Sequence, residues 1–222
     1  MRQISRLSVI AVSIALLMTL ISCSNTQNTP ETDDQPSTPT ENRETVTSGQ
    51  ISDVPESNNA SGKSPQGSVT DAANFEILEN EDGTVTISRY IGTETDIVIP
   101  SQIDGKTVSA IGNVTGTTGA FEGCTNIIAV VIPEGVTEIQ DNAFYGCTSL
   151  ETVTIPSSVT LLRNCAFCDC PNLRAVYFEG DAPQQANYVF DSTENVTMYY
   201  QDGTAGWENP WHGRPAEVYT PE

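Results

Sequence analysis

The chain has 222 residues, of which 29 are acidic and nine are basic, and its formal net charge at pH 7 is −20. A field of this sign repels nucleic acids, anionic lipid headgroups and sulfated glycans at long range. The charge therefore argues against nucleic-acid binding, and no nucleic acid is expected among the partners.

The first 22 residues have the features of a signal peptide. Arg2 and Arg6 precede an apolar run over residues 7–21. The run is shorter than the roughly 20 residues of a membrane-spanning helix and suits the hydrophobic region of a signal peptide. It is followed by Ser22-Cys23, which resembles the bacterial lipoprotein signal, where the cysteine is acylated and becomes the new N-terminus. We expect residues 1–22 to be removed and Cys23 to carry the lipid; an ordinary secretory signal and an uncleaved anchor are the alternatives.

Residues 23–72 are predicted to be the lipidated N-terminus followed by a disordered, acidic linker rich in Ser, Thr and Pro. Between Ser24 and Thr70 the apolar residues are Val46, Ile51, Val54, Ala60 and Val69, and none is aromatic. Such a segment cannot bury enough apolar surface to offset the entropy of ordering it. A flexible chain of this length spans on the order of 40 Å, so it would hold a folded head away from a membrane.

Residues 73–222, called the head below, are predicted to form one domain that contains a 23-residue repeat. The sequence IAVVIPEGVTEIQDNAFYGCTSL at 128–150 aligns with ETVTIPSSVTLLRNCAFCDCPNL at 151–173. Self-similarity at a fixed period predicts a solenoid, in which each unit buries its apolar face only by stacking on its neighbours.

Each repeat unit is predicted to begin with a strand. Val153 and Ile155 alternate with threonines, and β-branched residues favour a strand. Pro156 ends this strand, because proline lacks the N–H that a central strand needs. A second short β-prone run follows at 159–162, and Phe167 is then expected to enter the core.

The units on either side of the clean repeats are irregular. The unit from Pro100 to Pro133 is ten residues longer than the period, and we assign the extra length to a tight turn at 103–106 and a loop at 113–119. The segment Asn80-Glu81-Asp82-Gly83 predicts a hairpin turn between strands at 75–78 and 84–87, which would cap the first rung. It also resembles a calcium loop weakly, but a strand stands where that loop needs its last acidic ligand.

After Leu173 the repeat decays towards an aromatic C-terminal end. Val189-Phe190 stand where Ala166-Phe167 stood one unit earlier. The final unit begins at 197–200 with Thr-Met-Tyr-Tyr, contains Trp207 and Trp211, and is aromatic and irregular. These tryptophans are expected to form an aromatic C-terminal cap over the last rung.

The repeat string IPxxVxxIxxxAFxxCxxLxxVxIP resembles the BspA-like leucine-rich repeats of bacterial surface proteins. The flanking segments FEILENEDGTVTI and GTAGWENPWHGRP are also similar to that family's flanks, and the resemblance covers residues 74–219. It implies a mainly β, short solenoid of parallel strands, exported and used for binding. Gly135 and Ser158 depart from the commonest leucine-rich pattern, which has asparagine there. No residue of the family carries catalysis, so the resemblance implies no enzyme activity.

Five cysteines lie in the predicted head. Those at 124, 147 and 170 share one repeat position, so they are expected to point inward and pack as small apolar side chains. Cys165 and Cys168 are additional and form C-x-x-C-x-C with Cys170. Two arrangements stay open for an exported protein: buried thiols throughout, or a disulfide that uses Cys165 or Cys168. A zinc site lacks a second pair of ligands, so no metal and no cofactor is expected.

The outward positions of the predicted strands carry no charge, which is unusual in so acidic a chain. Aromatic residues with uncharged neighbours are typical of interface cores. The alternative is that these residues are simply good strand formers. We expect an outward strip that binds a partner, made of Val131, Thr152, Thr154 and Tyr177.

These features together predict a cell-surface lipoprotein whose leucine-rich repeat head binds an extracellular protein or glycan. The alternative is a structural or assembly component of the bacterial envelope without a host ligand. Both interpretations place the protein in the bacterial cell envelope, exported and attached to the membrane through Cys23. No nucleophile–base pair or phosphate-binding loop is evident and His212 is expected to be structural, so no enzyme activity is predicted. A monomer is expected.

Overall fold

The computed structural model describes residues 67–112 and 118–221. The predicted signal peptide, Cys23 and nearly all of the predicted linker lie outside these residues, as does most of the predicted loop at 113–119. Within the described part of the chain, no helix is long and apolar enough to cross a membrane.

The described residues form thirteen strands and one short 3-10 helix at Ala72–Asn74. The strands, in chain order, are β1 (Phe75–Glu79), β2 (Val85–Tyr90), β3 (Asp96–Val98), β4 (Gln102–Ile103), β5 (Lys106–Ile111), β6 (Ala129–Val131), β7 (Glu138–Ile139), β8 (Thr152–Ile155), β9 (Leu161–Leu162), β10 (Ala175–Phe178), β11 (Gln184–Gln185), β12 (Thr197–Gln201) and β13 (Ala216–Tyr219).

Each repeat unit contributes one strand to each of two sheets. The first sheet has the order β3-β6-β8-β10-β12-β13, and its strands run parallel. The second sheet has the order β1-β2-β5-β7-β9-β11, in which the β1–β2 pair is antiparallel and the others are parallel. A further strand, β4, pairs with β5. The predicted mainly β solenoid of parallel strands is confirmed.

The strands of the first sheet pair in the register that the repeat predicts. Val153 lies opposite Val130 on one side and Val176 on the other, and all three side chains are fully buried. Burying a valine stabilises the folded state by roughly 1.5–3 kcal/mol. The repeat places a valine at the same core position in each of these three turns, or rungs, of the solenoid. Because side chains alternate between the two faces of a strand, the neighbours of these valines face outward.

One aromatic ring per rung forms a continuous stack through the core. Phe121, Phe144, Phe167 and Phe190 recur at 23-residue intervals, and the centroids of adjacent rings are 4.7, 5.1 and 5.5 Å apart. Tyr90, at the end of β2, adds a fifth ring 5.2 Å from Phe121. The stack therefore joins the N-terminal hairpin to the repeats, and the predicted core position of Phe167 is confirmed.

The two predicted tight turns are both present. β1 and β2 form an antiparallel hairpin, in which Asp82 Oδ1 accepts a hydrogen bond from the backbone N–H of Thr84 at 3.0 Å. The turn between β4 and β5 has positive φ at both central residues, 52° at Asp104 and 75° at Gly105. Such a turn matches the twist of paired strands and closes a hairpin with two loop residues.

The C-terminal end continues the first sheet further than the sequence predicts. Neither β12 nor β13 was predicted as a strand, because the run at 197–200 was assigned to the cap. The two strands pair in parallel and are the last two of the sheet. Trp211 is buried, and the ring centroid of Trp207 lies 4.8 Å from that of Phe178. The roles of the N-terminal hairpin and of the two tryptophans as caps stay predictions.

Candidate functional site

The outward strip lies on the face of the first sheet that points away from the core. Val131, Thr154 and Tyr177 pair in register across β6, β8 and β10. The row continues onto the two C-terminal strands through Tyr199 and Glu217. At its other end the row includes Val98 of β3, so these residues belong to a row of six side chains that crosses the whole sheet. Thr152 lies in the neighbouring row, opposite Ala129 and Ala175.

Exposure is uneven along the outward strip. Val131 and Thr152 are half-buried, whereas Thr154 is 3% and Tyr177 is 8% exposed. On a flat sheet, neighbours on adjacent strands lie about 4.8 Å apart and cover one another. A ligand on this part of the face would therefore contact mainly Val131 and Thr152, and the binding role of the strip stays a prediction.

Three tyrosines form a cluster at the C-terminal end of this face. The rings of Tyr177 and Tyr199 are stacked with their centroids 5.1 Å apart, and Tyr219 meets Tyr177 edge-on at 5.2 Å. Tyr177 is buried, whereas Tyr199 and Tyr219 are half-buried. Sequence reasoning identified Tyr177 but missed the other two, because it assigned the run at 197–200 to a cap and did not predict β13.

Two carboxylates flank the tyrosine cluster. Glu217 lies opposite Tyr199 in the sheet, and Glu179 follows directly after β10. Burial, with a smaller effect from the charge of Glu134, raises the pKa of Glu179. In the described part of the chain, the ion pairs join Lys106 to Glu79 and Arg163 to Glu138. Neither flanking carboxylate is therefore neutralised by a basic side chain there.

The carboxylates act on the neighbouring phenols. The pKa of Tyr199 is raised by burial and by the charge of Glu217. The pKa of Tyr219 is raised by burial and by the charge of Glu179. These phenols therefore stay protonated at neutral pH, and the only formal charges that the cluster presents are negative.

The cysteines of the head divide into one disulfide and three buried thiols. Of the two arrangements considered, a disulfide is found, and it joins Cys165 to Cys168. The cysteines at 124, 147 and 170 are buried outside this disulfide. Burial raises the pKa of the Cys170 thiol to about 12. It is therefore not a nucleophile at neutral pH, where the thiolate is the reactive form.

The shared cysteine position also has a polar role that was not predicted. Cys170 Sγ donates to the carbonyl oxygen of Phe144, one rung earlier, at 3.2 Å. Thr193, which is 23 residues after Cys170, donates from Oγ1 to the carbonyl oxygen of Phe167 at 2.7 Å. The expectation of apolar packing alone was therefore incomplete, because this position supplies a hydrogen-bond donor to the preceding rung.

His212 lies at an open cleft of about 420 Å³ that is also lined by Tyr188, Asp191 and Arg214. Its ring packs edge-on against Trp211, with the centroids 5.0 Å apart. Arg214 donates to the carbonyl oxygen of Phe190 at 2.8 Å, which joins the C-terminal segment to the last rung. Among the described residues, no group of three or more His, Cys, Asp or Glu side chains could hold a metal ion.

Comparison with known proteins identifies the repeats. Residues 109–204 match the model of the family described as "BspA type Leucine rich repeat region (6 copies)". No curated protein matches the chain.

Two solved bacterial structures are similar to this chain. The T. pallidum leucine rich repeat protein has a TM-score of 0.51 and 22% identity, covering 70% of this chain and 84% of that one, which shows the fold alone. A leucine rich cell surface protein from Faecalibacterium prausnitzii A2-165 has a TM-score of 0.50 and 30% identity, covering 72% of this chain. The match spans 44% of the F. prausnitzii chain, so this chain corresponds to less than half of it. With its parallel sheets and its stack of phenylalanines, the segment 109–204 is a BspA-type leucine-rich repeat region.

Proposed function

We propose that this protein is an exported, lipid-anchored bacterial surface protein whose leucine-rich repeat head binds an extracellular protein or glycan. The head acts by binding and not by catalysis. The observation that carries the proposal is the outward face of the first sheet, where an uncharged strip leads into three clustered tyrosines. Aromatic side chains are enriched at the centres of binding interfaces.

The surface location is supported by two observations. A solved protein with 30% identity is described as a leucine rich cell surface protein. The segment Leu20-Ile21-Ser22-Cys23 at the end of the apolar run favours lipid attachment to Cys23. Metabolic labelling with a radioactive fatty acid tests the anchor: the label is expected on the wild-type protein and absent from Cys23→Ala. Equal labelling of both proteins would contradict it.

Binding is tested by chemical crosslinking of the full-length protein on intact cells exposed to extracellular material, followed by mass spectrometry of the captured molecules. Thr152→Glu places a charge on the outward strip at a half-buried position and is expected to reduce capture at least ten-fold. Thr160→Glu is the matched control, because Thr160 is exposed beside the second sheet. Capture that is unchanged by Thr152→Glu, or capture of envelope components alone, would contradict the proposal and favour a structural role.

A further inference from the structure

The tyrosine cluster differs from the rest of the outward face, because it combines aromatic rings with carboxylates that form no ion pair with a basic side chain of residues 67–112 and 118–221. We propose that the cluster Tyr177, Tyr199 and Tyr219, with Glu179 and Glu217, binds the cationic side chains of a lysine- or arginine-rich segment on a partner protein. This inference rests on the proposed binding function and names the class of partner.

The register of the first sheet places a ring and a carboxylate side by side. Tyr177, Tyr199 and Glu217 occupy one row on three successive strands. One face of the Tyr199 ring is stacked on Tyr177, at an interplanar angle of 20°. The other face is therefore directed towards the next strand, where Glu217 is exposed. A cation between them would meet an aromatic face on one side and a carboxylate on the other.

A second carboxylate lies on the opposite side of the rings. Phe178 pairs with Tyr200, so Glu179 follows beside Gln201, which in turn pairs with Tyr219. With about 4.8 Å between strands and about 6.8 Å between alternate residues, the Cα atoms of Glu179 and Glu217 are about 12 Å apart across the cluster. Two carboxylates at this separation can each take one cation of the same bound segment, with the rings between them.

The chemistry of the cluster favours a cation over a neutral sugar. An ammonium or guanidinium group is attracted to the face of an aromatic ring and to a carboxylate at once. A neutral glycan can stack on a ring but leaves both carboxylates without a compensating charge. Tyr177, at 8% exposure, also leaves little flat ring surface on which a sugar could stack.

The net charge of the whole head also favours a cationic partner. Residues 73–222 contain 21 acidic and five basic residues, a net charge of −16. This field draws a basic segment towards the head at long range. The uncharged outward strip, which continues from the cluster along the same sheet, can then contact the apolar stems of lysine and arginine side chains.

The test measures binding of two probes to the full-length mature protein in detergent by isothermal titration calorimetry. The probes are a hexalysine peptide, acetylated and amidated at its ends, and maltohexaose. Glu217→Gln and Tyr199→Leu are each expected to weaken hexalysine binding at least five-fold. Two matched controls, Glu81→Gln in the hairpin turn and Tyr188→Leu at a side chain that is 72% exposed, are expected to change it less than two-fold. Thermal unfolding verifies that each variant is folded.

The outcomes separate this inference from the proposed function. Equal weakening by Glu81→Gln and Glu217→Gln would show that only the long-range field attracts the peptide, and would overturn the site. Maltohexaose binding that is lost in Tyr199→Leu, without hexalysine binding, would overturn the cationic partner class. Crosslinked capture that depends on the outward strip would leave the proposed function standing in both cases. Hexalysine binding at the cluster without any capture on cells would instead support the site while contradicting the proposed function.

Discussion

The thiol of Cys147 donates a hydrogen bond to the carbonyl oxygen of Phe121, with 3.1 Å between the sulfur and the oxygen. The bond joins two successive rungs inside the core. Thr193 makes the equivalent bond from a hydroxyl at the same repeat position. The same carbonyl also accepts from the backbone N–H of Cys124 at 3.1 Å, so the thiol adds a second hydrogen bond, and a small side chain that can donate suits the position.

Replacement of Cys147 is therefore expected to depend on hydrogen-bonding capacity more than on apolar character. Cys147→Ala should lower the free energy of unfolding by about 0.5–1.5 kcal/mol through the lost hydrogen bond, because the carbonyl of Phe121 loses one of two donors and keeps the backbone N–H of Cys124. Cys147→Ser keeps a donor and should cost less than Cys147→Ala. Urea unfolding followed by circular dichroism measures both, and equal losses would show that apolar packing alone fixes this position.

The disulfide between Cys165 and Cys168 is expected to stabilise the turn that carries Phe167. For a closed loop of about four residues, the chain-entropy relation gives a stabilisation of about 2 kcal/mol. Reduction with dithiothreitol should therefore lower the urea midpoint of the wild-type protein. The Cys165→Ala, Cys168→Ala double variant controls for other effects of the reductant. A shift of equal size in both proteins would contradict a stabilising disulfide.

The two tryptophans near the C-terminus provide a test of the predicted cap. Trp211 is 4% exposed, so Trp211→Ala should lower the free energy of unfolding by about 3–5 kcal/mol, as for other large buried aromatic residues. If the residue shields the last rung, the variant should also self-associate, which light scattering after size exclusion detects. Trp207→Ala, at a half-buried position, should have a smaller effect. A variant that stays monomeric would argue against a capping role.

The raised pKa of Glu179 predicts a pH-dependent effect on stability. Glu179 is exposed overall, but partial burial of its carboxyl favours the protonated form in the folded state, so the folded pKa lies above the ordinary value of 4.5. The ionised carboxylate therefore destabilises the fold at pH 7, and this penalty disappears as the pH falls below about 4.5, where both states are protonated. Glu179→Gln should raise Tm at pH 7 and not at pH 4.

Glu194→Gln provides the control for that experiment, because it removes the same charge from the turn before β12, at a position that is exposed like Glu179. Differential scanning calorimetry at pH 7 and pH 4 gives the comparison. A gain for Glu179→Gln that is the same at both pH values, or is matched by Glu194→Gln, would mean that burial of the carboxylate is not its cause.

The repeating part of the fold could be predicted from the sequence alone. Val153 and Phe167 each have an equivalent residue one repeat earlier and one repeat later in the sequence. A constant spacing of this kind indicates that equivalent side chains stack in successive rungs. The tight turn at Asp104-Gly105 was also predictable, because few residues tolerate positive φ. These signals are local or periodic in the sequence, so they can be recognised without knowing which strands pair with each other.

The candidate site was only partly predictable, for two physical reasons. Alternation along a strand gives the direction of Thr154, but not its exposure, which depends on what its neighbours on adjacent strands cover. The place of Tyr219 depends on the parallel pairing of β13 with β12. That pairing lies outside the repeat period and the strand is only four residues long, so neither periodicity nor propensity indicates it.

The order of strands in the first sheet has a consequence for how the head is presented. Thr70 bonds to Val98 of β3, so the chain preceding it joins the sheet at one edge. Tyr219 and Glu217 lie on β13 at the other edge, five inter-strand steps or about 24 Å away. If the protein is anchored through Cys23, as proposed, β13 is the strand of this sheet that lies farthest from the attached end. The tyrosine cluster is then presented on the side of the head away from the attachment.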